Sequence, residues 1–317
     1  MRWDYIRQEV VIFLVSKRLR VLIIVACIGM LIVLLQGALV TNTDSGRGCG
    51  DHWPLCNGKF VPAYTLESIL EYSHRLVSAI VGFLVLAVFI ATMIRHRREG
   101  EPVLYASSAL FFTILQALLG AAAVKWPQSP PVMALHFGFS LLAFASTLLL
   151  VIWAYRMKRG LATAVQTDLP HSVYKFAWVI FGYIYVVVYI GAFIRHTKSA
   201  GGCVGWPLCN GEVIPELSGA SGLVFLHRVA ALIIFLLIGA LAYHIHKRAS
   251  GHPGLKRTAA WAFALVLTQV LSGALVTATL GNEQVYIFTS LLHNVIISVL
   301  FGLLAELSIR SWKLRRR

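Results

Sequence analysis

Residues 37–75 read GALVTNTDSGRGCGDHWPLCNGKFVPAYTLESILEYSHR, and residues 191–228 follow the same plan as GAFIRHTKSAGGCVGWPLCNGEVIPELSGASGLVFLHR. Each copy begins at a Gly-Ala step, passes two cysteines that bracket Trp-Pro-Leu, and ends on His-Arg within an apolar run. One position differs in character, because Glu71 lies three residues before the first His-Arg whereas Val224 lies three residues before the second. The chain is therefore predicted to be a tandem repeat whose halves differ at one chemically important position.

The composition is that of a membrane protein. The 317 residues are 58% hydrophobic, with a mean hydropathy of +0.76, and several apolar runs reach the roughly 20 residues that cross a bilayer. We predict an all-α polytopic membrane protein built as two tandem pseudo-symmetric four-helix bundles, residues 1–160 and 161–317. Its eight transmembrane helices are predicted at about 20–42, 69–94, 103–125, 131–156, 172–195, 221–246, 257–279 and 286–310.

A second repeated stretch supports this division. Residues 114–124, ILQALLGAAAV, align with residues 267–277, LTQVLSGALVT. The aligned Gln116 and Gln269 occur in both halves, so we expect them to support packing or hydrogen bonding. The Gly-Ala steps let neighbouring helices approach closely, which favours either tight packing or room for a flat ligand.

The basic residues are distributed unequally along the chain. Twenty Lys and Arg residues fall in the N-terminal segment, in the loops after helices 2, 4 and 6, and in the tail, against five in the opposite loops. Because Lys and Arg concentrate on the cytoplasmic side, both termini are predicted to be cytoplasmic and the cysteine loops extracellular or periplasmic. This topology explains the formal charge of +15 and favours contact with anionic lipid over nucleic acid.

Four of the five cysteines form two loop pairs, Cys49 with Cys56 and Cys203 with Cys209, while Cys27 lies inside the first span. Disulfides persist outside the cytoplasm, and neither spacing is typical of a zinc knuckle. Pairing within each loop is the simplest connectivity. Two roles stay open: a staple that shapes a loop over the bundle mouth, or a thiol-disulfide relay, for which the first pair is the better candidate.

Four of the eleven histidines lie well inside predicted spans: His74, His136, His227 and His293. Each sits several residues inside an even-numbered helix from its outer end, so the first two share one depth and the last two share another. Facing imidazoles at one depth in a four-helix bundle can bind a haem iron axially. The Gly, Ala and Leu around them suit a flat porphyrin better than a bare Zn or Cu ion. The pattern predicts two bis-histidine haem sites, with hydrogen-bonded interior histidines as the alternative.

Charged residues accompany two of these histidines. Glu71 lies on the same helical face as His74, and an ionisable group within a span is a functional hypothesis by default. It can act as a base, orient a water, or stabilise developing positive charge, unless it lies at the interface. Arg75 and Arg228 suit carboxylates such as haem propionates, although snorkelling to the outer interface is an equal alternative.

Together these motifs resemble the haem A synthase family, the CtaA type of bacterial cytochrome oxidase assembly enzyme. The resemblance is carried by GALVTNTDSGRGCGDHWPLCNGKF with EYSHR, and by GGCVGWPLCNG with the second His-Arg. It covers nearly the whole chain. It implies a bacterial cell-membrane oxidoreductase that oxidises a methyl group of haem O to formyl by successive hydroxylations, giving haem A for cytochrome oxidase.

The resemblance also implies residue roles. Substrate haem O is expected between His74 and His136 in the N-terminal half, and a haem b iron between His227 and His293 in the C-terminal half. Glu71 matches the essential acidic residue of the family. Its outer-loop disulfides match Cys49–Cys56 and Cys203–Cys209.

The same resemblance implies partners. Haem O synthase is the expected functional partner because it supplies the substrate, and the electron acceptor is unknown.

Two rival functions stand beside the one that the resemblance implies. The main rival is a dihaem cytochrome b-like membrane electron carrier that oxidises quinol without modifying haem. The presence of Glu71 in just one of the two halves argues against that carrier. A haem transporter is a third interpretation, but two sites near the outer face offer it no obvious path.

Overall fold

The structure is a computed structural model that describes residues 15–126, 129–158, 169–249 and 251–314. Over these ranges the chain forms eight long helices and one short 3-10 turn, Ser199–Gly202. Every long helix is long and apolar enough to cross a membrane, which confirms the predicted all-α polytopic fold. Their bounds are Lys17–Asn42 (α1), Leu66–His96 (α2), Gly100–Lys125 (α3), Pro130–Lys158 (α4), His171–His196 (α5), Gly219–Arg248 (α6), Pro253–Ala278 (α7) and Glu283–Lys313 (α8).

Each helix begins one to four residues before its predicted start, and at α1, α2 and α8 a polar side chain caps the extended start. The Thr65 hydroxyl accepts a hydrogen bond from the Ser68 amide at 3.3 Å, at the start of α2. The Asn282 side chain accepts one from the Val285 amide at 3.1 Å, at the start of α8. Such caps satisfy amides that have no partner inside the helix.

The helices pack as two rings of four. In the first ring α1 contacts α2 and α4, and α3 contacts the same two helices; the second ring repeats this arrangement with α5 to α8. The rings meet through α1, α4, α5 and α8. As a result α4 and α8 carry the most buried faces, with Leu150, Trp153 and Phe301 fully enclosed, whereas α3 is mostly peripheral.

A buried charge cluster joins the rings at the end opposite the cysteine loops. The Arg156 guanidinium of α4 donates to Glu101 of α3 at 3.1 Å and lies 3.4 Å from a Glu306 oxygen of α8. Lys313 of α8 donates to Glu101 at 2.8 Å. These pairs compensate charges that would be costly to bury alone, so they hold α3, α4 and α8 in register.

The predicted boundary between residues 160 and 161 lies outside the described residues. The same is true of the basic residues at 2, 7, 159 and 315–317 that entered the topology prediction. The domain boundaries and the cytoplasmic side of the termini therefore stay predictions.

Candidate functional site

The two cysteine loops close over the ends of α2 and α6. The disulfides Cys49–Cys56 and Cys203–Cys209 are both formed. The glycine before each first cysteine lies directly on the next helix. A methyl group on Gly48 would lie 2.3 Å from the Glu67 carbonyl carbon, and one on Gly202 would lie 2.5 Å from the backbone of α6. Only glycine permits this contact, so both loops are seated on the helix that carries the following His-Arg.

Glu71 links the first cysteine loop to α2. Its carboxylate is buried, with 5% of the side chain exposed. One oxygen accepts a hydrogen bond from the Cys49 amide at 2.8 Å, and the other forms a short ion pair with Arg75. The carboxylate is therefore fixed in position, on the face of α2 that carries His74 one turn later.

The second loop is built differently at the matching position. Val224 packs with Ile194 against the cystine of Cys203 and Cys209 in a small apolar cluster. A carboxylate that binds the loop backbone in the first half thus corresponds to an apolar contact in the second. The asymmetry seen in the sequence is an asymmetry in how each loop is attached.

Arg75 and Arg228 both bind the loops above them. Arg75 donates to the carbonyl oxygens of His52 at 2.7 Å and Leu55 at 2.8 Å. Arg228 donates to the carbonyls of Leu208 at 3.0 Å and Cys203 at 2.9 Å. These guanidinium groups, for which propionate contact and snorkelling were equal alternatives, therefore clamp the cysteine loops, and propionate contact stays a prediction.

Each of the four intramembrane histidines lies against a glycine of the preceding helix. A methyl group on Gly37 would lie 3.3 Å from His74, and one on Gly191 would lie 3.0 Å from His227. The corresponding distances are 3.8 Å from Gly120 to His136 and 3.4 Å from Gly273 to His293. The Gly-Ala steps thus make room for imidazole rings at helix–helix contacts.

The histidines of each predicted pair lie on two helices of one ring, His74 on α2 with His136 on α4, and His227 on α6 with His293 on α8. That each pair forms a binding site stays a prediction. In His74 and His136 the Nδ1 atom is buried with no hydrogen-bond partner among the described residues. Buried ring nitrogens without a protein partner call for a ligand or a water.

These features fit a haem better than a bare metal ion. Across the described ranges, no three or more His, Cys, Asp or Glu side chains are grouped as a metal cage. A porphyrin needs only two axial ligands from the protein, because its own nitrogens supply the other four. Paired imidazoles flanked by glycines, in a bilayer-spanning bundle, meet that need.

His293 differs from the other three because both of its ring nitrogens are engaged. Its Nδ1 lies 2.7 Å from the Ser272 hydroxyl, and its Nε2 lies 2.8 Å from the Gln269 side-chain nitrogen. In the first half the aligned Gln116 instead accepts a hydrogen bond from Ser140 at 2.8 Å. The two glutamines therefore have different hydrogen-bond partners, although they occupy aligned positions in the repeat.

Arg195 lies where the two rings of helices meet. At the end of α5, its guanidinium donates to the Asn294 side chain at 2.8 Å and sits 5.2 Å from the Phe137 ring centroid. Asn294 and Phe137 each directly follow a paired histidine. The residue thus bridges the two candidate sites, and only its position one turn after Gly191 could have signalled this.

The described residues define a class of membrane protein with eight spanning helices, four of which carry an imidazole against a glycine of the preceding helix. Residues 20–305 match the COX15-CtaA family, described as cytochrome oxidase assembly protein. The chain belongs to this family, which confirms the resemblance drawn from its motifs.

Relatives named "Heme A synthase" are similar over almost the entire chain. The protein of Alkalihalophilus pseudofirmus is 39% identical over 295 residues, which cover 92% of this chain and 97% of the relative. Those of Symbiobacterium thermophilum and Halalkalibacterium halodurans are 40% and 42% identical, covering 92% and 86% of this chain and 94% and 90% of the relatives. With eight spans and bacterial relatives, the chain is a multi-pass bacterial membrane protein.

Proposed function

We propose that this chain is a haem A synthase, a membrane oxidoreductase that converts haem O to haem A. The similarity to relatives of that name extends over both halves. The observation that carries the proposal at the site is the recurrence of four half-buried imidazoles, two in each half, each against a glycine of the preceding helix. The dihaem electron carrier is not favoured, because the relatives carry the name of the synthase.

In this proposal the two pairs have different tasks. His74 and His136 bind substrate haem O in the N-terminal half, residues 1–160. His227 and His293 hold the haem b iron in the C-terminal half, residues 161–317, where the bound haem supplies one-electron redox chemistry. The location of Glu71 one turn from His74, with Val224 at the matching position, supports this division.

Glu71 is the proposed catalytic residue. Conversion of a methyl to a formyl group removes four electrons, and positive charge develops at the methyl carbon as they leave. A carboxylate held by Arg75 and by the Cys49 amide can stabilise that charge or orient a water without reorganising. Arg75 and Arg228 keep the loops closed over the histidines and are also proposed to contact haem propionates.

The setting of the reaction follows from the orientation. We propose that both termini are cytoplasmic and that the cysteine loops face the outside of the cell membrane. Haem O synthase is the proposed source of substrate, and electrons pass to an acceptor that this chain's residues do not identify. The Cys49–Cys56 disulfide shapes the loop that holds Glu71.

The experiment that tests the proposal compares two glutamates of α2. Glu71→Gln and Glu67→Gln are expressed with haem O synthase, and the haems of the purified proteins are extracted and identified. Glu67 is exposed and lies one turn before Glu71, so Glu67→Gln is the matched control. We expect haem A from the parent and from Glu67→Gln, and haem O in its place from Glu71→Gln. Normal haem A from Glu71→Gln would remove Glu71 from the mechanism.

A further inference from the structure

The hydrogen bonds around His293 define which of its nitrogens carries the proton. The Ser272 hydroxyl donates to the backbone carbonyl oxygen of Gln269 at 2.9 Å. A hydroxyl that gives its one proton to that carbonyl accepts from the imidazole. In this arrangement the Nδ1 atom of His293, 2.7 Å away, is the donor and carries the proton.

The other nitrogen of the same ring is then free of a proton. Gln269 donates its side-chain N–H to Nε2 at 2.8 Å, which is consistent with a lone pair on that atom. The imidazole is thus held by Ser272, a buried residue, in the tautomer whose Nε2 can bind a metal. Binding there requires the Gln269 amide to turn aside.

The first half lacks this arrangement. In the alignment of residues 114–124 with 267–277, Leu119 takes the position of Ser272. Leucine offers no acceptor, and the Nδ1 atom of His136 is buried without a partner among the described residues. Of the four paired histidines, only His293 has its tautomer set by a side chain.

We propose that Ser272 is a positioning residue that makes the α6–α8 site retain its haem, while Leu119 leaves the α2–α4 site able to exchange. The inference rests on the proposed function, in which the substrate must enter and the product leave at every turnover while the cofactor stays. A histidine ligand that donates its second N–H is better oriented and more basic, and loss of such a partner costs about 10–100-fold in metal affinity.

The test measures haem loss from each site separately in the full-length protein. A background with His74→Ala and His136→Ala keeps only the α6–α8 site, and one with His227→Ala and His293→Ala keeps only the other. Each protein is loaded with haem b, and transfer of haem to an excess of a haem-scavenging apoprotein is followed by absorbance. Activity is not involved, so failure of this inference is separate from failure of the proposed function.

In the first background we expect Ser272→Ala to speed haem loss about 10–100-fold, and Ser272→Thr, which keeps the hydroxyl, to restore retention. The g-values of the low-spin ferric haem should shift in Ser272→Ala, because they respond to the basicity of the imidazole ligand. In the second background Leu119→Ser should slow haem loss. Unchanged retention and g-values in Ser272→Ala would overturn the proposal, as would failure of Ser272→Thr to rescue.

Discussion

Replacing Glu71 with valine gives the first half the residue of the second and separates the two roles of this carboxylate. The substitution removes the partner of Arg75, whose side chain is only 10% exposed, and the acceptor of the Cys49 amide. Glutamine keeps one acceptor, for that amide, but it loses the charge and turns a donating NH2 group toward the Arg75 guanidinium. Glu71→Val therefore removes both contacts of the carboxylate, whereas Glu71→Gln keeps the one with the Cys49 amide.

The contacts of Glu71 determine how much unfolding free energy each variant should lose. Breaking a buried ion pair by removing one partner costs about 3–5 kcal/mol, and an unsatisfied buried amide costs about 1–3 kcal/mol more. Valine recovers about 1.5 kcal/mol by burial against the cystine, and Arg75 keeps its bonds to two loop carbonyls. We expect a net loss of about 3 kcal/mol or more for Glu71→Val. Glu71→Gln also takes the counter-charge and the acceptor from Arg75 but keeps the acceptor of the Cys49 amide, so it should lose less, about 1–3 kcal/mol.

Thermal unfolding of the detergent-purified proteins measures the order of stability: parent, then Glu71→Gln, then Glu71→Val. The double variant Glu71→Val with Arg75→Met removes both charges and should recover part of the stability lost in Glu71→Val, because the unpaired buried cation is gone while the Cys49 amide and the two loop carbonyls stay without their partners. Equal unfolding temperatures for the parent and Glu71→Val would refute the reasoning. Both single variants should fail to make haem A, whatever their stability.

Two further predictions concern packing and charge. Gly191→Ala places a methyl 3.0 Å from His227 and should cost about 1–3 kcal/mol by overpacking, with less haem bound, whereas Gly120→Ala, at 3.8 Å from its histidine, should bind haem like the parent. Equal haem content in the two purified variants would contradict this. Arg156→Met leaves Glu306 buried without its partner and should cost about 3–5 kcal/mol in unfolding free energy; a stability within error of the parent would show that the cluster does not tie the rings.

Much of the fold could be predicted from the sequence, because hydropathy and repetition are one-dimensional signals. The eight apolar runs predict the eight long helices that the described residues form. The pairing of the four histidines stays a prediction, which their places in the two rings support. The helices start one to four residues earlier than predicted, and five of them end one to three residues later, because hydropathy does not mark polar helical residues or caps such as Thr65. The glutamate missing from one half was also readable, because the repeat supplies its own comparison.

The hydrogen-bond partners of individual side chains could not be predicted from the sequence. Whether Arg75 meets a propionate or a loop carbonyl depends on how the cysteine loop folds back, which no periodicity records. Ser272 and Leu119 occupy aligned positions in two apolar stretches. The hydroxyl contacts His293 only because α8 packs against α7 at that point. Arg195 likewise gains its contacts from helices of both rings.

The central claim is that this chain converts haem O to haem A at a site distinct from its resident haem. The most direct measurement is the identity of the haems extracted from the purified parent protein after expression with and without haem O synthase. We predict haem B alone without the partner, and haem A together with haem B when it is present. Haem B alone under both conditions, in an amount that fills both sites, would contradict the account and favour the electron carrier.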